Sequence, residues 1–420
     1  MSIKKRAKTV ALAEQFGPGL VTGAADDDPS GIATYSQAGA QFGYGLLWTM
    51  VLTYPLMTAV QLVSAHIGRV SGKGLASNMA KVLPGWAITL LVALLFITNT
   101  INIGADLAAM GDAAELVVGK GAHVFTALFA FVSLGLQLFV PYRRYANILK
   151  WLTLVLLAYI ALLFMVKVDW LAAGKGMVWP TVSNKEALTT IVAIFGTTIS
   201  PYLFFWQSSQ EVEEVEQDLG KEALKKAPEQ ARDEFRRIKI DTFVGMAVSN
   251  IVALAIIIGT AATLHATGRT EIATAADAAK ALEPVAGKFA FLIFSLGIIG
   301  TGLLAIPVLA GSAAYAIGDS RGWKTSLESM PWQAKGFYTV IGAATLLGIG
   351  IDWSPIDPIK ALFWSAVING VVAVPIMAVM MLVASNKKAM GKFTASRSMR
   401  IFGWLATAVM AAAAVAMVAV

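Results

Sequence analysis

The sequence predicts an all-α polytopic membrane protein of eleven transmembrane helices, built as two inverted groups of five spans plus one, with the first and sixth spans broken. Three observations predict it. Of 420 residues, 57% are hydrophobic and only 14% charged, at a mean hydropathy of +0.68, a balance outside the range of soluble domains. Apolar runs of about 20 residues, the length that crosses a hydrocarbon core, recur along the whole chain. Two of these runs are interrupted at corresponding places by polar, proline-bearing stretches.

The runs place spans near 16–41, 46–68, 86–110, 122–141, 146–167, 187–209, 240–264, 287–317, 335–351, 358–384 and 398–420. An odd number of crossings in each group of five turns the second group upside down relative to the first. The expected organisation is a cytoplasmic N-terminus over 1–15, a first repeat over 16–167, an extracytoplasmic loop over 168–186, a second repeat over 187–384 with a cytoplasmic linker at 210–239, and a basic loop plus last helix over 385–420. The basic start lacks an apolar run with a cleavage site, so it reads as retained rather than as a signal peptide. Most of the 33 Lys and Arg collect at alternate span ends, among them Lys4, Lys5, Arg6, Arg69, Lys73, Arg143, Arg144, Arg321, Lys324, Lys387 and Lys388. The positive-inside rule then puts the N-terminus in the cytoplasm and the C-terminus outside. The net charge of +7 belongs to these loops, not to a nucleic-acid surface. The partners expected are the lipid bilayer and a small ion or solute.

Absence of cysteine excludes disulfides, thiolate metal sites and cysteine nucleophiles. Three scattered histidines near span ends, with no HExxH spacing, offer no catalytic constellation, so the chain is read as no enzyme and no resident cofactor is expected. A receptor or sensor would add a long soluble output domain, whereas a secondary transporter fits the paired breaks and the carboxylates within a span. The linker EVEEVEQDLGKEALKKAPEQARDEFRRIK carries opposite charges at helical spacing and is expected as a solvated cytoplasmic helix interrupted near Pro228.

The first span carries the strongest chemical signal. From Phe16 to Ala25 ten apolar or small residues rise ~15 Å, to about the bilayer midplane. Asp26, Asp27 and Asp28 follow at once, then Pro29, Ser30 and Gly31, before the apolar pattern resumes. Proline removes a backbone donor there, so the span reads as two half-helices. A carboxylate at bilayer depth costs at least ~2.5 kcal/mol, and three neighbouring ones repel, so a bound cation or proton is the natural compensation. The competing reading is a solvated turn at a helix end. Span 6 has the matching interruption at Gly196, Thr197, Thr198, Ile199, Ser200 and Pro201, with an ordinary proline kink as its alternative. Asp106 lies in a stripe with Asn99, Thr100 and Asn102 that is either a water-lined proton path or a packing face. Trp206, one turn past the second break, either lines a cavity or anchors packing.

GPGLVTGAADDDPSGIATYSQAGAQFGYGLLW resembles the first-helix signature of the NRAMP divalent-metal transporters, GPG then DPGN then QAGAQFGY and LLW. SAHIGRVSGKGLA in span 2, GADLA in span 3 and GTTISPYLFFWQSS in span 6 extend it. The resemblance implies a LeuT-type inverted repeat, alternating access and a transported divalent cation of the Mg²⁺ or Mn²⁺ class, with coupling to H⁺ left open, in a bacterial plasma membrane. Its metal-ligating Asp is matched by Asp28, whereas the partner Asn falls on Gly31. In the MPH motif Ser200 stands for Met, Pro201 for Pro and Tyr202 for His, and a later family His falls on Gln207. Thr197 completes the set at the second break. Asp106 matches an Asp linked to proton movement, but the acid three positions later is Ala109 here. Asn369 lies next to the position of a family Gln. Replacing a thioether by a hydroxyl weakens preference for softer metals. Expected from this is a hard anionic site of Asp26, Asp27 and Asp28 for a partly hydrated cation such as Mg²⁺. The competing substrate is a small organic cation or amino acid, with Tyr202, Phe205 and Trp206 as an aromatic wall.

Overall fold

The computed structural model describes residues 18–141, 152–218, 220–353 and 355–419. Among them the chain is helical and has no strand. The main helices are α1 (Pro18–Asp26), α2 (Pro29–Phe42), α3 (Leu47–Ser71), α4 (Gly85–Val118), α5 (Ala122–Phe139), α6 (Leu157–Met165), α7 (Lys185–Thr198), α8 (Pro201–Gln217), α9 (Ala231–Thr263), α10 (Ala290–Arg321), α11 (Lys335–Ile349), α12 (Pro358–Ser385) and α13 (Arg397–Ala419). Short helices such as Leu75–Met79 and Trp170–Val178 cap the ends.

Nine helical stretches among the described residues are long and apolar enough to cross a membrane, α7 and α8 together forming one of them. The two other expected spans are the first, divided between α1 and α2, and the fifth, where α6 follows a 3₁₀ turn at Leu152–Leu156. Residues 146–151 of that span, residues 16 and 17 of the first, and the N-terminal segment 1–15 expected in the cytoplasm, with Lys4, Lys5 and Arg6, lie outside the described residues, as do Arg143 and Arg144.

Both breaks fall where the sequence places them. Pro29 and Pro201 occupy the first helical positions of α2 and α8, where a missing N–H costs nothing. Burial separates centre from rim: in the most apolar stretch of α7–α8 89% of residues are inside the molecule, against 22% for both α5 and α13. The broken span is therefore core, and α5 and α13 face lipid. Close backbone approach sets the centre. A Cβ on Gly196 of α7 would run into Ala366 O and the backbone of Gly370 on α12, and one on Gly23 of α1 into the backbone of Gly245 on α9. Small residues at helix contacts are how membrane helices gain dispersion energy without a hydrophobic drive. The 33-residue α9 lies along both halves of the first span.

The linker divides its charges. α8 runs on to Gln217 and α9 begins at Ala231, with a short 3₁₀ turn at Pro228–Gln230, so the gap between the two helices is short. Arg232, Asp233, Arg236 and Lys239 are exposed, whereas Glu211, and Arg69 of α3 opposite it, are fully buried. Arg237 Nη2 meets Glu211 Oε2 at 2.5 Å and Glu214 Oε2 at 3.0 Å, while Arg69 Nε and Arg237 Nε each lie 3.1 Å from Glu234 Oε2. Charges spaced for a solvated helix are here paired across α3, α8 and α9, and that pairing is what allows their burial.

Candidate functional site

Asp28 is the N-cap of α2, with extended backbone at φ −71° and ψ 170°. Its Oδ1 accepts from Ser30 Oγ at 2.6 Å and from Gly31 N at 2.8 Å. Its Oδ2 accepts from Asn102 Nδ2 of α4 at 3.1 Å and from the Tyr202 hydroxyl of α8 at 3.2 Å, and Ala25 O competes for that hydroxyl at 3.3 Å. Asn102 Oδ1 in turn accepts from Ser365 Oγ of α12 at 2.6 Å. Three elements thus converge on one carboxylate, and α12 holds one of its donors. Hydrogen bonds to a charged group contribute ~1.5–3 kcal/mol each, so these donors offset the cost of a carboxylate at this depth.

Asp26 and Asp27 face elsewhere. Ser249 Oγ of α9 lies 2.6 Å from Asp26 Oδ2 and 3.1 Å from Asp27 Oδ1, and one hydroxyl proton cannot fully serve both. Asp26 Oδ1 is buried without a hydrogen-bond partner. The three acids expose 0%, 4% and 1% of their surface, which excludes the solvated-turn alternative. The single pocket of three carboxylates is corrected as well: Asp28 turns to α4 and α8, whereas Asp26 and Asp27 turn to α9. Among the described residues no three His, Cys, Asp or Glu side chains gather at metal-holding distances. Asp106 of α4 is fully buried within electrostatic reach of Asp28, and neither of its oxygens has a hydrogen-bond partner. None of the four acids takes part in a salt bridge among the described residues. Buried, imperfectly bonded acids of one sign require a proton, water or cation.

The second break has no charge. Ser200 precedes Pro201 and its hydroxyl turns back on its own helix, 2.7 Å from Gly196 O and 2.8 Å from Thr197 O. It covers two carbonyls at the end of α7, the negative end of that helix dipole. Thr197 Oγ1 faces Gly31: a Cβ on Gly31 would lie 3.1 Å from that oxygen and 3.4 Å from Asp26 O. A side chain at position 31 would therefore point into the space between the two breaks.

The other expected residues spread out. Gln207 Oε1 accepts from Thr22 Oγ1 of α1, and its Nε2 lies 3.5 Å from Glu211 Oε1, so it ties α1 to the ion-pair network of α3, α8 and α9. Trp206 stacks edge-on against Tyr315 with centroids 6.1 Å apart and packs at Gly311, which makes it an anchor between α8 and α10. Of the expected aromatic wall only Tyr202 bonds to Asp28. Asn369, one turn beyond Ser365 on α12, is buried with its Oδ1 unpartnered. Sequence reading missed Ser249, Ser365 and Tyr35, and took Asn102 only as part of a stripe. Tyr35 lies within electrostatic reach of Asp26, Asp27 and Asp28 and beside Thr197. Ser249 and Asn250 are a polar pair in an otherwise apolar run, a signal of the same kind that exposed the breaks.

The two ends of the broken first span differ. A cavity of about 390 Å³ opens between α2, the start of α7 and the start of α12, lined by Ala33, Gln37, Thr190 and Phe363. At the other end Gly19 N donates to Asp241 Oδ2 at 2.6 Å, and the Thr22–Gln207 bond joins α1 to α8.

The model of the family described as natural resistance-associated macrophage protein-like, Nramp, matches residues 19–420. The chain belongs to the Nramp family. It is 28% identical to the divalent metal cation transporter MntH of Klebsiella pneumoniae (strain 342), over 97% of this chain and 94% of that one. With the MntH of Yersinia enterocolitica identity is 29%, over 93% and 91%. Among solved structures, the manganese transporter of Eremococcus coleocola superposes with a TM-score of 0.72 at 15% identity, covering 95% of this chain and 84% of that one. Mhp1, a nucleobase-cation-symport-1 family transporter, gives 0.57 at 12% identity over 96% and 92%. These likenesses show the fold, the LeuT-type arrangement with broken first and sixth spans. The Nramp relatives are transporters and not enzymes, and this Nramp chain is an integral membrane protein of the same kind.

Proposed function

We propose that this Nramp protein moves a divalent cation by alternating access, with a site of hard oxygen donors that favours a partly hydrated ion of the Mg²⁺ class. The single observation that carries the proposal is Asp28, fixed at the joint of two broken helices by four donors, none of which bears sulfur or imidazole. The family role of the relatives supplies the cation; the donor set supplies the preference. Around Asp28 stand a phenol, an amide and a hydroxyl, with Ala25 O beside the phenol, and the second break carries the helix-end carbonyls Gly196 O and Thr197 O. Mg²⁺ holds few direct carboxylates and keeps several waters, which suits one preorganised acid and a ring of neutral oxygens. The glycine at position 31 removes a direct ligand, and a Cβ there would press on Thr197 Oγ1 at 3.1 Å and the Tyr35 ring at 3.3 Å. Asp26, Asp27 and Asp106 have no cationic partner, so we assign them the compensating charge traffic, a proton or the incoming ion itself.

A substrate panel in proteoliposomes tests this. Mg²⁺ uptake is expected to exceed Mn²⁺ uptake at equal concentration, with Ca²⁺ and small organic cations as the competing arms and a pH gradient imposed or omitted. Wild-type protein that takes up Mn²⁺ in preference to Mg²⁺ would overturn the hard-site reading, and uptake of an organic cation alone would overturn the metal.

A further inference from the structure

A second cavity of about 610 Å³ lies far from the breaks, between α3, α9, α13 and the loop before α13. Its walls are apolar and aromatic: Tyr54 and Leu62 of α3, Phe235 and Phe243 of α9, Met399 and Phe402 of α13. Its mouth is basic. Lys239 and Lys392 line it and are exposed, with their ammonium groups 5.9 Å from the Phe243 ring centre and 5.2 Å from that of Phe393. No Asp or Glu lines the cavity. Neither lysine has a carboxylate partner among the described residues, whereas Arg69, Lys221 and Arg237 nearby are all paired with Glu211, Glu214 or Glu234.

We infer that this groove binds an anionic phospholipid, its phosphate between Lys239 and Lys392 and one acyl chain along the aromatic wall. Two features select this occupant. The groove borders α13, which faces lipid, so a chain enters it sideways from the bilayer. Its polar end carries unpaired positive charge at the basic end of the spans, where anionic headgroups concentrate. A free phosphate leaves the apolar wall uncovered, and a zwitterionic lipid leaves the lysines unmatched. The loop that forms the floor is held by His66, whose Nε2 lies 2.7 Å from Phe393 O and whose ring stacks on Phe235 at 4.8 Å. Lipid in the groove therefore fastens α3, α9 and α13 together at one end.

Native mass spectrometry of the full chain, with phosphatidylglycerol, phosphatidylcholine and inorganic phosphate offered separately, tests the inference. Wild type is expected to retain phosphatidylglycerol about tenfold better than phosphatidylcholine, since each basic residue near the surface adds a few-fold. The double variant Lys239→Gln, Lys392→Gln is expected to lose that preference, and Met399→Trp, which fills the groove, to lose retention of both lipids. A melting curve in phosphatidylcholine micelles confirms that each variant is folded. Equal retention of the two lipids by wild type, retention untouched by either variant, or stabilisation by inorganic phosphate equal to that by phosphatidylglycerol overturns the proposal.

Discussion

The two breaks use the same backbone device and opposite chemistry. In the first span the joint carries three acids, and the one that caps α2 is bonded by α4 and α8 as well as by its own turn. In the sixth the joint is neutral, and Ser200 satisfies the loose carbonyls of its own helix without help from any other. The first break is thus fixed from outside and the second from within. On the function proposed above, binding energy for a cation comes from the first, and the second holds carbonyl oxygens that a rotation of the Ser200 hydroxyl would uncover.

Substitutions can break this contrast in a graded way. The largest effect is expected from Asp28→Asn. The variant removes the charge that would pair with a bound cation, a loss of ~3–5 kcal/mol for a buried pair, so proteoliposome uptake falls by about a hundredfold or more, while the amide oxygen still caps α2 and the melting temperature stays close to wild type. Uptake equal to wild type would remove Asp28 from the site. Next comes Ser249→Ala, which strips Asp26 and Asp27 of their shared donor; an unsatisfied buried acceptor costs ~1–3 kcal/mol, and uptake drops about tenfold. Ser249→Thr keeps the hydroxyl and is expected to restore it, an outcome that a purely steric role for position 249 does not give. Ser200→Met sharpens the comparison at the neutral break: calorimetric titration is expected to show the metal ranking move a few-fold (~1 kcal/mol) toward Mn²⁺ or Cd²⁺, as a thioether favours softer ions. An unchanged ranking sinks the role given to Ser200. The smallest effect is reserved for Arg232→Gln on the exposed face of α9, where uptake stays within about twofold.

Much of this was legible in the chain because the membrane makes local violations expensive. Pro29 and Pro201 inside apolar runs, and Asp26 to Asp28 at half a span's depth, point to broken helices ahead of a solvated turn or an ordinary proline kink. What lay hidden depends on which helices touch. Ser249 is an unremarkable hydroxyl until α9 is laid against α1. Glu211 and Arg237 look like a solvated helical face until the chain folds back between α8 and α9 and pairs them. For the same reason the three acids read as one cluster along the sequence, yet the turn at Asp27 sends them to different neighbours.

The backbone contact of Gly23 with Gly245 works as a fulcrum. Because no side chain cushions it, α1 can pivot on α9 but cannot slide along it without a clash. On one side of that point is the end tethered by Gly19 to Asp241; on the other are Asp26 and Asp27 with Ser249. Any swing of α1 about that point would carry the tethered end and the acids in opposite directions, which ties release of Gly19 from Asp241 to the hold of Ser249 on the two acids.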